Sequence, residues 1–240
     1  MLDNINSENI LFLDIETIPQ FATYEEMPEN FKKLWDLKVQ ALIKNGKTTD
    51  TPEQYYRSAG IFAEFGKIIC ISVGFKKDKE FRIKSFYGHD EKLLLEEFAA
   101  LLDSHYNKTH HQLCGHNGKE FDFPFIARRM LILGIKIPKI LDTAGKKPWE
   151  VQHLDTMELW KFGDYKSFTS LNLLAAIFGI PTPKDDIDGS MVYDVYYEEK
   201  NLNRIVTYCQ KDVITVAQIY LRMKGEPLIT TEFLKVPVIE

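Results

Sequence analysis

The stretch from Ile10 to Pro19 constrains the fold of this chain more than any other, because two acidic residues stand at the end of an apolar run. The apolar run predicts a buried β-strand. Asp14 and Glu16 lie two residues apart, so their side chains point to the same face of that strand. Like charges held this close repel each other unless a cation neutralises them, and clustered carboxylates are ligands that suit Mg²⁺ or Mn²⁺. The alternative is a strand that ends in solvated acids, and only further acids from elsewhere in the chain would decide against it.

The composition is that of an ordinary globular protein. The chain has 240 residues, of which 45% are hydrophobic and 27% charged, so it is long enough to bury a substantial core. A net charge of −5 argues against a protein that coats nucleic acid by bulk attraction, although not against an enzyme that holds one strand locally. No apolar run approaches the roughly 20 residues of a membrane span, and the polar N-terminus does not resemble a signal peptide. Three cysteines, far apart in apolar segments, indicate reduced thiols, and we expect a cytoplasmic protein.

The order of the predicted elements indicates an α/β fold. After the first strand, strands are expected at 67–75, 80–87 and 112–115 and a short edge strand at 153–156, with helices near 90–102, 124–133, 170–178 and 201–224. This order favours a mixed sheet with helices on both faces. Because no shift in composition marks a boundary, we interpret residues 1–240 as a single domain. It would carry a helical insertion at about 20–65, whose aromatic residues favour a core face over base-stacking platforms, and an irregular tail at about 225–240.

Two further acids lie where a site at the first strand could draw on them. Asp122 stands at the predicted start of a helix, where free backbone N–H groups favour an acid, so a simple helix cap is the alternative to a functional role. Asp212 shares one face of the last helix with Tyr208, four residues earlier, and this face adjoins an apolar stripe. A carboxylate near the buried side needs a partner. That partner is either a cation at the site or, at the helix surface, Lys211 or Arg204.

Three short motifs resemble those of a known enzyme superfamily. They are Phe12-Leu13-Asp14-Ile15-Glu16-Thr17, His116-Asn117-Gly118-Lys119-Glu120-Phe121-Asp122 and Tyr208-Cys209-Gln210-Lys211-Asp212. In this order and spacing they are similar to the three exonuclease motifs of the DEDD 3′–5′ exonuclease superfamily, and the third has the Tyr-x-x-x-Asp form of its DEDDy branch. The second motif is most similar to that of the proofreading exonuclease domain of B-family DNA polymerases. The resemblance spans roughly residues 10–221, and since no polymerase module fits beside it we expect a free-standing nuclease.

This resemblance implies a ribonuclease H-like fold, with a mixed sheet of about five strands and helices on both faces. It also implies hydrolysis of the 3′-terminal phosphodiester of single-stranded or frayed DNA with two divalent cations, Mg²⁺ or Mn²⁺, about 3.5–4 Å apart. Asp14, Glu16 and Asp212 would hold one cation, and Asp14 and Asp122 the other. Tyr208 would orient the attacking water, because a usual pKa of about 10 makes tyrosine a poor general base. The residues expected to contact the substrate are Thr17, Ile18, Asn117 and Phe121.

Weaker candidates surround these motifs. Asp155 resembles an acidic position found between the second and third motifs of the superfamily, and it could either assist the site or make structural hydrogen bonds. His116 could face the site, but satisfied packing is the simpler interpretation. Six basic residues could line a path for the substrate backbone or be scattered surface charge; they are Lys119, Arg128, Arg129, Lys146, Lys147 and Lys166.

Other functions stay open at this point. A catalytically silent nucleic-acid-binding or protein-binding module of the same fold would not need four acids and a tyrosine. A phosphatase with Asp14 as its nucleophile is distantly indicated by Lys184-Asp185-Asp186 downstream, but it leaves the last helix unexplained. RNA in place of DNA also stays open, because no residue that would meet a ribose 2′-hydroxyl is identifiable.

Overall fold

A six-stranded mixed sheet forms the centre of the protein, of which the computed structural model describes residues 2–164, 166–181 and 187–239. The strands in the described residues are β1 (Ile10–Pro19), β2 (Gly66–Lys77), β3 (Glu80–Tyr87), β4 (Gln112–Gly115), β5 (Leu154–Asp155) and β6 (Leu234–Lys235). Their order is β5-β4-β1-β2-β3-β6. β2 is antiparallel to β1 and β3, whereas β1, β4 and β5 are parallel to one another. Parallel β1 and β4 therefore end at the same edge of the sheet.

Helices cover both faces of this sheet. The described α-helices are α1 (Glu29–Lys44), α2 (Pro52–Tyr55), α3 (Glu91–His105), α4 (Asp122–Ile132), α5 (Thr156–Lys161), α6 (Leu171–Ile177), α7 (Val192–Tyr197) and α8 (Leu202–Lys224). None of them is long and apolar enough to cross a membrane. This arrangement confirms the mixed α/β sheet with helices on both faces that the sequence predicts.

The alternation of β1 divides the core into two layers. Odd-numbered residues such as Leu11 and Leu13 lie in a buried cluster with α3 and α4. Even-numbered Ile10 and Phe12 lie in a second cluster with α8, where the Phe12 ring packs edge-on against Tyr220. Because side chains alternate along a strand, the next even-numbered residues after Phe12 also point toward α8.

Residues 20–65 form a helical layer between β1 and β2, built from α1, α2 and the 3-10 helix Tyr56–Ile61. Its aromatic residues pack around Trp35, which is fully buried, and this is the core-face interpretation favoured from the sequence. The 3-10 helix lies directly against the end of β1, since a Cβ on Gly60 would stand 3.0 Å from the backbone of Ile18. The layer is thus held beside the acids that follow Leu13.

The structure differs from the sequence-based expectation at three places. The tail is not wholly irregular, because a 3-10 helix (Thr231–Phe233) and β6 follow α8, and β6 adds a sixth strand to the expected five. α4 begins at Asp122, two residues before the predicted start. α5 was not predicted at all. Two-residue strands and six-residue helices are too short for a hydrophobic period to appear in the sequence.

Candidate active site

Asp14 and Glu16 stand on the α8 side of β1, as the alternation of the strand requires. Glu16 is 6% exposed. Oxygen atoms of both carboxylates and the Sγ of Cys209 on α8 all lie within 4.8 Å of one another. The pairing of β1 with β2 shifts register directly after Glu16. The two acids therefore occupy the last regular positions of the strand before it reaches the helical layer.

Asp122 reaches the same place through β4 and a tight turn. β4 runs parallel to β1 and is followed by Asn117, whose φ of +62° turns the chain toward α4. Asp122 opens α4, is 4% exposed, and its Oδ1 accepts a hydrogen bond of 3.1 Å from the backbone N–H of Ile15. This bond holds the Asp122 carboxylate beside Ile15, the residue between Asp14 and Glu16, although Asp122 and Ile15 are 107 residues apart in sequence.

Tyr208 and Asp212 come from one face of α8 and are hydrogen-bonded to each other. Both line the cavity that the first three acids face. Burial, followed by the charges of Asp212 and Glu16, raises the pKa of the Tyr208 hydroxyl far above its usual value. Tyr208 therefore stays protonated at any pH at which a protein enzyme works.

The electrostatics of the acids indicate a site for cations. Removal from solvent raises the pKa of Asp14, with further contributions from Asp122 and Asp212. Removal from solvent, followed by the charge of Asp14, raises the pKa of Glu16. Burial raises the pKa of Asp122 to about 7, against the lowering effect of backbone hydrogen bonds. Several charged carboxylates so close together are unfavourable without compensation. Oxygen-rich donors of this kind fit a hard divalent cation.

The cavity between these residues has a volume of about 540 Å³. Of the nine residues predicted to form the site, it is lined by Asp14, Glu16, Thr17, Asn117, Phe121, Asp122, Tyr208 and Asp212. Ile18 is the exception and corrects the sequence-based assignment. Its side chain is fully buried in a cluster with Ile69 and Val195, so it cannot contact a ligand in the cavity. The physical reason is packing, because Ile18 is covered by Val195 of α7 and Ile205 of α8.

Asp155 has a structural role that shapes the site. Its carboxylate is 2% exposed and accepts hydrogen bonds from the backbone N–H groups of Asn117 (2.9 Å), Lys119 (3.0 Å) and Met157 (2.9 Å). It caps α5 and at the same time holds the turn that leads to Asp122. Of the two interpretations given for Asp155, structural hydrogen bonding is the one that the contacts support.

His116 lines the cavity but is engaged on both ring nitrogens. Nδ1 lies 2.9 Å from the Thr156 hydroxyl and Nε2 lies 2.9 Å from the Thr169 carbonyl oxygen. Burial lowers its pKa below the usual value. Because its ring is neutral and both ring nitrogens have partners, His116 has a structural role in the wall of the cavity.

The six basic residues do not line this cavity. Lys119 pairs with Glu158 at 2.7 Å, and Arg129 is buried against Glu91 at 2.6 Å, so Arg129 belongs to the core and not to a substrate path. Lys146 lines a different cavity, which lies near the first residue of β4 and away from the acids. The phosphatase alternative used Lys184, Asp185 and Asp186, which lie outside the described residues.

Two features of the site were not predicted from the sequence, and one of them lies at the cavity. Arg57 of the helical layer lines it and bonds Asp194 (2.9 Å) and Glu198 (2.9 Å), while its guanidinium stacks over the Tyr193 ring at 4.9 Å. Cys209, which directly follows Tyr208, contacts Asp14. Arg57 carries no motif that could have revealed it, whereas the position of Cys209 inside the third motif was a usable signal.

Two comparisons bear on this site. A family model described as "Predicted 3'-5' exonuclease related to the exonuclease domain of PolB" matches residues 61–229. The structure of the family B DNA polymerase from the hyperthermophilic archaeon Pyrobaculum calidifontis is similar over 89% of this chain, with a TM-score of 0.48 and 13% sequence identity. The match covers 24% of the polymerase chain, so this chain spans about a quarter of that protein.

Proposed function

This chain belongs to the family of predicted 3′–5′ exonucleases related to the exonuclease domain of PolB, and we propose that it is an active, metal-dependent enzyme of this kind. Its reaction is hydrolysis of the 3′-terminal phosphodiester of single-stranded or frayed DNA. One observation carries the proposal: four acids and a tyrosine from three distant segments line a single cavity. A module that only binds nucleic acid has no use for this set. The free, buried cysteines fit a reducing, cytoplasmic setting.

The donor set divides naturally between two cations, Mg²⁺ or Mn²⁺. Asp14, Glu16 and Asp212 would hold one, and Asp14 together with Asp122 would hold the other. When bound, such cations make water a better nucleophile at neutral pH and stabilise charge on the attacking and leaving oxygens. The hydrogen bond from Ile15 N–H to Asp122 and the thiol contact to Asp14 keep these carboxylates in place.

Tyr208 orients the attacking water and does not act as its base. Its hydroxyl is already hydrogen-bonded to Asp212 and remains protonated because its pKa is raised by burial and by the acids. A neutral hydroxyl at the cavity surface can hold a water by donating or accepting, but it cannot take up a proton at neutral pH.

The terminal nucleotide would lie on the wall formed by Asn117 and Phe121. Both residues line the cavity beside Asp122, and Asn117 is fixed by the bond from its backbone N–H to Asp155. An amide can hydrogen-bond a base edge or sugar, and a partly exposed aromatic ring can stack on a base. Thr17 lines the same cavity.

Incubation of the protein with a 5′-labelled single-stranded oligonucleotide tests this function. With Mg²⁺ or Mn²⁺ we expect a ladder that shortens from the 3′ end and no product in EDTA. A blocked 3′ end should stop the reaction, and matched DNA and RNA oligonucleotides will show which polymer is preferred. Asp14→Asn and Asp212→Asn should abolish the ladder, while Asp142→Asn, at an exposed acid outside the cavity, should not. No shortening with either metal, or equal activity in Asp14→Asn, would refute the proposal.

A further inference from the structure

A second cavity, of about 320 Å³, lies beside the first residue of β4, whereas the acids lie beyond its last residue. Its lining comes from residues 106–111, which connect α3 to β4, and from residues 139–153, in the stretch between α4 and β5. No described residue lines both this cavity and the cavity of the acids. Small-molecule sites in proteins measure about 300–1,000 Å³. The second cavity is therefore large enough for a small ligand of its own.

The lining of the second cavity carries an excess of positive charge. Lys108, Lys139 and Lys146 all line it, and none of the three is in an ion pair with a described residue. Glu150 is the one acid among the described lining residues, and its Oε2 already accepts a hydrogen bond of 2.8 Å from a backbone N–H of its own turn. Positive charge that converges on a concave surface attracts anions.

The two histidines of the second cavity are affected by this charge. Burial lowers the pKa of His111, and the charges of His110 and Lys108 lower it further. Burial also lowers the pKa of His153 to about 4, with a further contribution from lysines that include Lys146. Both rings are therefore mainly neutral at neutral pH, and the positive charge of the cavity comes from its lysines.

Tyr106 supplies an independent observation that points to a ligand. The residue is 8% exposed, belongs to the core cluster that contains α3, and lines the second cavity. Its hydroxyl has no hydrogen bond to any described residue. Burial raises the pKa of Tyr106 to about 12, so this hydroxyl keeps its proton. A largely buried hydroxyl without a partner is unfavourable, and buried tyrosine hydroxyls usually have one. An anion in the cavity would accept this hydrogen bond.

A phosphate group matches the donors of this lining. Its oxygens accept several hydrogen bonds at once, and a phosphomonoester carries about −1.5 to −2 charges at pH 7. Lysine is a common phosphate ligand, and hydroxyl groups can donate to the remaining oxygens. Besides the lysines and Tyr106, the lining contains the hydroxyl residues Thr109 and Thr143.

We propose that the second cavity binds the phosphate group of a phosphomonoester, held by Lys108, Lys139 and Lys146 and by a hydrogen bond from the Tyr106 hydroxyl. The phosphate belongs either to a free 5′-nucleotide or to the 5′ end of a nucleic-acid strand. Binding makes and breaks no covalent bond. It does not rest on the proposed function, because the lining is separate from that of the acids.

NMR of the nitrogen-15-labelled full chain in EDTA tests the proposal without divalent cations. Inorganic phosphate, added at constant ionic strength, should shift the backbone N–H signals of Lys108, His111 and Thr143 along one saturation curve. The signals of Asp14 and Asp122, at the other cavity, should stay in place. Shifts that do not saturate, or that sodium chloride reproduces, would overturn the proposal.

Three variants identify the groups that hold the phosphate. Tyr106→Phe keeps the buried ring and should weaken phosphate binding about tenfold, the weight of one hydrogen bond to a charged group. Lys146→Ala should weaken it about fivefold, the upper weight of an exposed ion pair. Lys136→Ala removes an exposed lysine of the same stretch that does not line the cavity, and it should leave the affinity unchanged. Equal affinity in all three variants would refute the assignment.

Two pairs of ligands distinguish the sources of the phosphate. Deoxyadenosine 5′-monophosphate is compared with deoxyadenosine, and a 5′-phosphorylated oligonucleotide with the same oligonucleotide ending in a 5′-hydroxyl. We expect the phosphorylated member to bind more tightly in at least one pair, and the pair with the larger difference identifies the source. No difference in either pair would contradict a phosphate site. Nuclease activity does not enter these measurements, so they are decided separately from the proposed function.

Discussion

Asp14 occupies a position in which a charged carboxylate is unfavourable unless a cation is present. It faces Asp122 and Asp212, and its pKa is raised by loss of solvent and by both of these charges. A carboxyl whose folded-state pKa is raised contributes stability below its unfolded pKa, and this contribution is lost as the pH rises through the folded value. At pH 8 without metal, the charge of Asp14 therefore destabilises the fold.

Asp14→Asn should consequently stabilise the metal-free protein. The amide keeps the shape of the side chain and removes one charge from the cluster. In EDTA at pH 8 we expect a higher melting temperature than that of the parent, by about 2–4 °C for each kcal/mol gained in a chain of this size. A lower melting temperature in circular-dichroism scans would show that the charge of Asp14 is compensated within the protein.

Tyr208→Phe should show whether Tyr208 orients the attacking water or contributes to the binding of substrate and metal. Because the hydroxyl only positions the attacking water, its loss should lower kcat by about 10²-fold, the loss that a misplacement of about 1 Å can cause, and leave KM and Mn²⁺ affinity nearly unchanged. The pH profile of the residual rate between pH 6 and 9 should keep its shape. Steady-state rates on an oligonucleotide measure this, and a limb of the pH profile that disappears with the hydroxyl would contradict the assigned role.

His153 gives the fold a pH dependence of its own, away from the acids. Its Nδ1 accepts a hydrogen bond from the Leu113 N–H at 3.3 Å and its Nε2 lies 2.9 Å from the Ile140 carbonyl oxygen, an arrangement that requires a neutral ring. Burial lowers its pKa to about 4. A histidine with a lowered pKa contributes stability above its unfolded value of about 6.5, and this is lost as the pH falls toward 4.

Urea unfolding of His153→Gln at several pH values measures this contribution. The parent should lose up to about 3 kcal/mol relative to the variant between pH 7 and 4, from a shift of this size at 1.36 kcal/mol per unit. Comparison with the variant cancels the opposite effect of the acids. A stability difference that is independent of pH would mean that His153 has the same pKa in the folded and the unfolded state.

At the scale of elements, the helical layer and α7 form one wall of the cavity. Arg57 bonds Asp194 of α7 and Glu198, which directly follows α7. The Tyr197 hydroxyl donates to the Pro19 carbonyl oxygen at 2.7 Å, and the Tyr193 hydroxyl donates to the Ala22 carbonyl oxygen. Gly60 allows the 3-10 helix to approach the end of β1. These contacts hold the wall in place beside Thr17.

Arg57→Ala should therefore affect the substrate more than the fold. The Arg57 side chain is 61% exposed, and exposed ion pairs contribute about 0–1 kcal/mol to stability. We expect a change in unfolding free energy below about 1 kcal/mol and a several-fold rise in KM, because the wall loses its link to α7. Arg82→Ala removes a comparable exposed ion pair, with Glu80 on β3, and should leave KM unchanged. Equal effects of the two substitutions on KM would argue against a role for the wall.

At the scale of the whole molecule, parallel β1 and β4 and the long α8 bring distant residues to one edge of the sheet. The period of β1, the turn before Asp122 and the i, i+4 pair on α8 could all be predicted from the sequence, because local pattern decides them. The burial of Ile18 and the bonds of Asp155 could not, since they depend on which elements pack together. The contacts of Arg57 could not be predicted either, because its two partners follow it by more than a hundred residues. Nor could β6, because this strand is defined only by its pairing with β3.

Thermal unfolding with and without Mn²⁺ tests most directly whether the four acids together hold cations. A ligand that binds only the folded state stabilises it by about 2.7 kcal/mol at a hundredfold excess over Kd, so the parent should melt at a clearly higher temperature in Mn²⁺ than in EDTA. Asp14→Asn, Asp122→Asn and Asp212→Asn should each lose most of this increase, and Asp142→Asn should keep it. No increase in the parent, or the same increase in all four variants, would contradict a cation site at this edge of the sheet.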